Sequence, residues 1–344
     1  MGASRAAYPE SRPLDREGIV RGAARDAGPA AYALGVTLPD SAWKTSVTPA
    51  SPLRRWVRPI LVANLVAEVG IVVTGGIVRL TGSGLGCSTW PECQPGSFTP
   101  IRTAESQYHD LIEFGNRTLT GVLGLLAVAS LWLVLRVWPE RRRMHYAAYG
   151  VVAGVVAQAV VGGITVRTGL NPWTVMFHFL MSMVLISLST ALVRGAADEE
   201  SGPGELTVHP LTRRLAWATA GVGAVVLTLG VIVTGSGPHS GDADTPARTG
   251  FDPRFVSWMH ADAVMLFVGL VIATLVAVRL TASEDAPKRA WYAVLYVTIA
   301  QGFIGYVQYF SGLPEVLVLL HMLGASLLAM ALTWGVLETR RLPV

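Results

Sequence analysis

Eight apolar runs, each long enough to cross a bilayer, restrict this chain to a polytopic membrane fold. They fall at about 57–80, 109–137, 146–166, 173–194, 211–235, 254–280, 289–310 and 315–337, and roughly 20 residues span the hydrocarbon core. Backbone groups find no water there, so each run is predicted to be an α-helix and the fold an all-α integral membrane protein. Only 15% of residues are charged, against roughly a quarter in soluble proteins. The cations behind the net charge of +4 sit at helix ends. That places them at a membrane surface and implies the lipid bilayer, not nucleic acid, as partner.

Those cations also orient the chain. Arg54, Arg55 and Arg58 precede span 1, and Arg141, Arg142 and Arg143 follow span 2. Arg194, Arg213 and Arg214 flank the loop between spans 4 and 5; Lys288 and Arg289 lie between spans 6 and 7, and Arg340 and Arg341 end the chain. Positive loops face the cytoplasm, so both termini are expected there. Trp56, Trp138, Trp217, Trp291 and Trp334 are expected to form an aromatic belt on the same side. Residues 1–52 are polar and lack an apolar h-region, which reads as a disordered cytoplasmic tail and not a cleaved signal peptide.

Polar residues inside the spans are few and patterned. In Tyr108–Thr120, YHDLIEFGNRTLT, residues His109, Glu113 and Asn116 share one helix face. A carboxylate in such a segment faces a bundle interior or a polar cavity, the alternative being an interfacial helix start. Arg79, at the outer end of span 1, suits an anionic ligand group or snorkels to the surface. The two cysteines, Cys87 and Cys93, lie in the first outer loop. That side is oxidising, so a disulfide is expected, as a staple contributing roughly 2 kcal/mol or as a redox pair.

The sequence repeats itself. GGITVRTGLNPWTVMFHF (162–179) resembles IGYVQYFSGLPEVLVLLHM (304–322), and VVTGG at 72–76 resembles VIVTGSG at 231–237. FVSWMHADAVM (255–265) lies over LIEFGNRTLTG (111–121), placing His260 on Asn116 and Ser257 on Glu113. Two pseudo-symmetric four-helix bundles are predicted, 53–197 and 211–341, joined by a cytoplasmic linker at 198–210. Corresponding slots hold Asn116 and His178 in the first half and His260 and His321 in the second. All four lie about 5–10 Å below the outer end of their spans at 1.5 Å per residue. Two histidines facing across a bundle suit a six-coordinate heme iron, whereas zinc would want three or four ligands. His145 and His209 read as solvated loop residues, and His239 as a surface residue of the outer loop between spans 5 and 6.

Residues 57–337 resemble the heme A synthase family, most specifically in TGGIVRLTGSGLGCSTWPEC, in IEFGNR and in the histidines at 178, 260 and 321. The resemblance implies oxidation of the heme O methyl group to the formyl group of heme A, by successive hydroxylations and loss of water, for terminal oxidase assembly. It implies heme b on His260 and His321, the substrate heme on His178, and Glu113 as the acidic catalytic residue. Arg79, Arg117 and Arg167 are candidates to pair with heme propionates. A heme O synthase supplying substrate and an electron donor are the implied partners, with a homo-oligomer left open. One departure stands out. The family's usual Glu-x-x-His-Arg reads Glu-x-x-Asn-Arg here, so the first-half iron is expected to be five-coordinate or weakly ligated, with His109, about 10 Å away on the same face, a lesser alternative. The rival class is a non-enzymatic diheme electron carrier or heme-handling transporter.

Overall fold

The structure, a computed structural model, describes residues 52–101, 108–197, 204–242, 244 and 246–341. Nearly all of the expected tail and residues 198–203 of the expected linker lie outside the described residues. Eight helices long and apolar enough to span a membrane account for the described fold. They are α1 (Arg54–Leu80), α2 (His109–Val137), α3 (Arg142–Arg167), α4 (Pro172–Ala197), α5 (Pro210–Ser236), α6 (Pro253–Thr281), α7 (Asp285–Phe310) and α8 (Glu315–Leu337). Each contains its predicted span, and the second and eighth match it residue for residue.

Local chemistry sets several boundaries. Asn171, His209 and Asp252 each accept a backbone N–H two residues on, and each is followed by proline. Proline at the first helical position loses no bond, because that N–H has no partner in the helix. α3 and α7 end alike, in left-handed Gly169-Leu170 (φ 61 and 56) and Gly312-Leu313 (φ 77 and 62). The Leu170 and Leu313 amides turn back to the Thr165 and Gln308 carbonyls, closing the last turn.

Two rings of four helices result. α1 packs on α2, α2 on α3, α3 on α4 and α4 on α1; α5 to α8 repeat the circuit. No Cα of α2 comes within 8 Å of α4, nor of α6 within 8 Å of α8, so the diagonal helices of each bundle do not pack directly on each other. The halves join through α1 and α4 against α5 and α8, with Leu65, Val72, Met183, Ile186 and Ala329 between them.

The apolar core of each bundle is concentrated toward its arginine-rich end. Val57, Leu61, Ala127, Val134, Val151 and Leu192 fill the first half. Phe267, Val271, Val278, Trp291 and Leu332 fill the second. Trp291 is fully buried and its indole N–H donates to the Gly335 carbonyl at 3.1 Å, so it is a core residue and not part of an aromatic belt. Trp56 and Trp217 are exposed at that end, as a belt requires. Leu125, Leu280, Phe303 and Val316 point outward, where lipid covers them.

The arginine-rich end is also tied by polar contacts. Arg194 of α4 donates to both carboxylate oxygens of Glu338, at 2.5 and 3.1 Å, and Trp334 donates to the same group. Arg341 N and Arg340 Nε donate to the carbonyls of Glu205 and Gly204, so this part of the expected linker lies against the end of α8.

Candidate functional site

The histidines stand outside the apolar core clusters of the bundles. His178 is on α4, His260 on α6 and His321 on α8, each toward the end opposite the arginine-rich face. Each ring lies against a glycine of a neighbouring helix. A Cβ added to Gly162, Gly230 or Gly305 would stand 3.4, 3.3 or 3.4 Å from Cε1 of His178, His260 or His321. The Nδ1 atoms of all three are buried without a hydrogen-bond partner. His260 and His321 stand on the diagonal helices α6 and α8. A buried imidazole with an unpartnered nitrogen is disposed to ligate, and a porphyrin iron needs only one or two such groups. Among the described residues no three His, Cys, Asp or Glu side chains gather as a bare metal ion would require.

Two glutamines hold the histidine helices in register, a feature the sequence reading missed. Gln158 of α3 donates to the His178 carbonyl and Gln301 of α7 to the His321 carbonyl, both at 3.0 Å. They share the repeat spacing of their histidines, which was the signal available. Gln158 also reaches Ser182 at 2.6 Å.

The first half adds a second layer. Glu113 is 5% exposed; its Oε2 accepts the Cys87 amide at 2.7 Å and its Oε1 accepts Arg117 at 2.5 and 3.0 Å. Arg117 in turn donates to the carbonyls of Thr89, Glu92 and Cys87. Cys87 and Cys93 form the expected disulfide. Arg167 donates to the Trp90 carbonyl, and the Trp90 indole lies so close to Gly163 that a Cβ there would be 2.4 Å from it. The cysteine loop is thereby clamped over the end of the first bundle. Arg79 reaches across the halves to the Thr234 carbonyl at 2.9 Å. All three arginines considered for propionates thus already have backbone partners.

Asn116 accepts the Thr74 hydroxyl on its Oδ1 at 2.7 Å. His109 is engaged elsewhere, its Nδ1 bonded to Ser83 at 2.8 Å. Ser257, the counterpart of Glu113, bonds its own helix at Pro253. Of the other histidines, His145 lies in the first turn of α3 and not in a loop, and bonds the Trp138 carbonyl; His209 is exposed, as expected, and caps α5; and His239, half-buried and not merely a surface residue, bonds the Leu313 carbonyl of the left-handed turn. Glu68, in the middle of α1, also escaped the sequence reading. It is 2% exposed, and its Oε1 accepts Asn64 at 3.0 Å and Ser189 of α4 at 2.9 Å. A carboxylate at mid-span was itself the missed signal.

A family model described as cytochrome oxidase assembly protein matches residues 58–246, which take in the first bundle, the cysteine loop and α5. The chain belongs to the cytochrome oxidase assembly protein family. Among curated relatives, a protein of Symbiobacterium thermophilum named heme A synthase is 28% identical over 277 residues, 76% of this chain and 89% of its own length. Relatives of the same name from Bacillus licheniformis and Lysinibacillus sphaericus are 26% and 25% identical, covering 76% and 80% of this chain and 88% and 92% of their own lengths. Each of these matches is longer than either half of the chain, so each takes in residues of both.

Proposed function

We propose that this chain is a heme A synthase: a multi-pass membrane oxidoreductase that converts the heme O methyl group to the formyl group of heme A. The observation that carries this is the family match over residues 58–246, which contain His178, Glu113 and the cysteine loop. With dioxygen as oxidant and two electrons and two protons taken up at each stage, the methyl carbon becomes a hydroxymethyl group and then a hydrate, the second oxygen atom leaving as water each time, and the hydrate loses water to leave the aldehyde. The chain sits in the cell membrane with both termini cytoplasmic, takes heme O from a heme O synthase, and draws electrons from a separate donor.

In this reading His260 and His321 hold a resident heme b and His178 holds the substrate. The unpartnered Nδ1 atoms of these rings, and the matching glycine that each ring lies against, support that assignment. The bound heme b supplies one-electron transfer. Gln158 and Gln301 fix the helices that present the ligands, and the apolar packing at the arginine-rich end excludes water from below. Trp90 and the clamped loop cover the first bundle from the other side. Arg79, Arg117 and Arg167 are propionate partners in this scheme only where a propionate shares or replaces a carbonyl they now hold.

Glu113 is the acidic residue of the first half, able to move a proton or stabilise positive charge at the oxidised carbon. Its two bonded oxygens favour a second role, positioning the cysteine loop through Cys87 and Arg117. The deciding experiment for the activity is pigment extraction from the purified protein. Heme A or its hydroxylated precursor is expected; heme b alone would return the chain to the class of diheme electron carriers.

A further inference from the structure

The two halves use one helical stretch differently. GIVVTG at 70–75 of α1 repeats as GVIVTG at 230–235 of α5. In the second half Gly230 makes room for the His260 ring, 3.3 Å from where its Cβ would stand. In the first half the glycine is kept, as Gly70, although Asn116 holds the place of that histidine. Nothing lies within 4 Å of where a Gly70 Cβ would stand. Asn116 turns to Thr74, one helical turn along, which donates to its Oδ1 at 2.7 Å. An imidazole exceeds a carboxamide by about two heavy atoms, and the amide nitrogen carries donor hydrogens where the imidazole would offer a ligating lone pair.

We infer that Gly70, Thr74 and Asn116 form a pocket for a small diatomic ligand of the dioxygen class, on the side of the first-half heme facing α2. This rests on the reading that the substrate heme is held on His178. Thr74 occupies the amide oxygen, which leaves the Asn116 NH₂ group as the donor toward the ligand. Gly70 provides the space the ligand fills, since no side chain of the described residues comes within 4 Å of where its Cβ would stand. The polarity, hydrogen-bond donors and steric access of such a pocket decide what a heme iron does with a diatomic. An asparagine here therefore gives the first half a binding function that the second half, with His260, does not have.

Carbon monoxide is the probe, added to the dithionite-reduced, heme-loaded protein and followed by visible and infrared spectra. One heme should bind it while the low-spin signal of the His260–His321 site stays unchanged. Gly70→Leu should weaken binding at least tenfold by filling the space. Asn116→Leu should raise the C–O stretching frequency by removing the donor, and Asn116→His should abolish binding and make the first-half heme low-spin. The unchanged His260–His321 spectrum reports that each variant is folded. If carbon monoxide binds but neither Gly70→Leu nor Asn116→Leu alters affinity or frequency, the pocket is wrong while the open heme face stands. If the unaltered protein binds none, the open face itself fails, and the pocket with it.

Discussion

The second half carries two buried histidines on its diagonal helices, and Ser257 stands where the first half has Glu113. The first half presents His178, Asn116 and a glutamate–arginine pair that reaches out to hold a disulfide loop. Both are built on the same ring of four helices, with the same glutamine supports and the same left-handed turns. In the proposed scheme the ligand layer and its cover, on a common frame, separate a site that would keep its heme from one that would admit and release it. Two histidine ligands would suit permanence. The clamped loop would then lie where a substrate has to pass.

That contrast can be broken most directly at the ligands. His260→Ala and His321→Ala should each remove the low-spin heme signal completely, whereas His178→Ala should leave it intact. A low-spin spectrum surviving in both second-half variants would mean the permanent heme has been placed in the wrong bundle. Next in size is Glu113→Gln, which should lower heme A formation by at least about 10²-fold, the scale of losing an acid or base group. Protease sensitivity of the loop separates its two roles: a loop that stays protected while turnover falls points to chemistry, and one that opens points to positioning.

Smaller effects sharpen the comparison. Cys87→Ser should cost about 2 kcal/mol, read as a lower unfolding midpoint for the first half with the His260–His321 spectrum unaltered. Loss of that spectrum would show that the loop supports both halves. Gln158→Ala and Gln301→Ala should each cost about 1 kcal/mol for one hydrogen bond. Each should perturb only the heme of its own half, and crossed effects in paired spectra would contradict the one-glutamine, one-histidine correspondence.

Hydropathy and the repeat made the eight helices and their pairing into halves legible, because both signals are linear in the chain. The same signals placed Trp291 in a belt, since an aromatic near a helix end reads alike whether it faces lipid or core. Arg117 read as free for a propionate because its real partners, the carbonyls of Thr89, Glu92 and Cys87, belong to a loop with no periodicity. Gln158 and Gln301 went unnoticed although they obey the repeat, because a glutamine is no ligand and its target is a backbone carbonyl. Glu68 was passed over for the same reason: Ser189, which makes it comfortable, is 121 residues away.

That separation has a consequence for how the chain is made. When α1 leaves the ribosome, Glu68 has only Asn64, on its own helix, to satisfy it. Ser189 arrives three helices later, so the first helix has to wait near polar surroundings, beside the insertion machinery or close to the interface, until α4 is synthesised. The first bundle then becomes a finished unit before α5 exists, since domains form in the order they are translated. Pulse-labelled chains stopped before α4 should be protease-sensitive and those stopped just beyond it resistant; equal sensitivity would mean that Glu68 finds its lasting partners some other way.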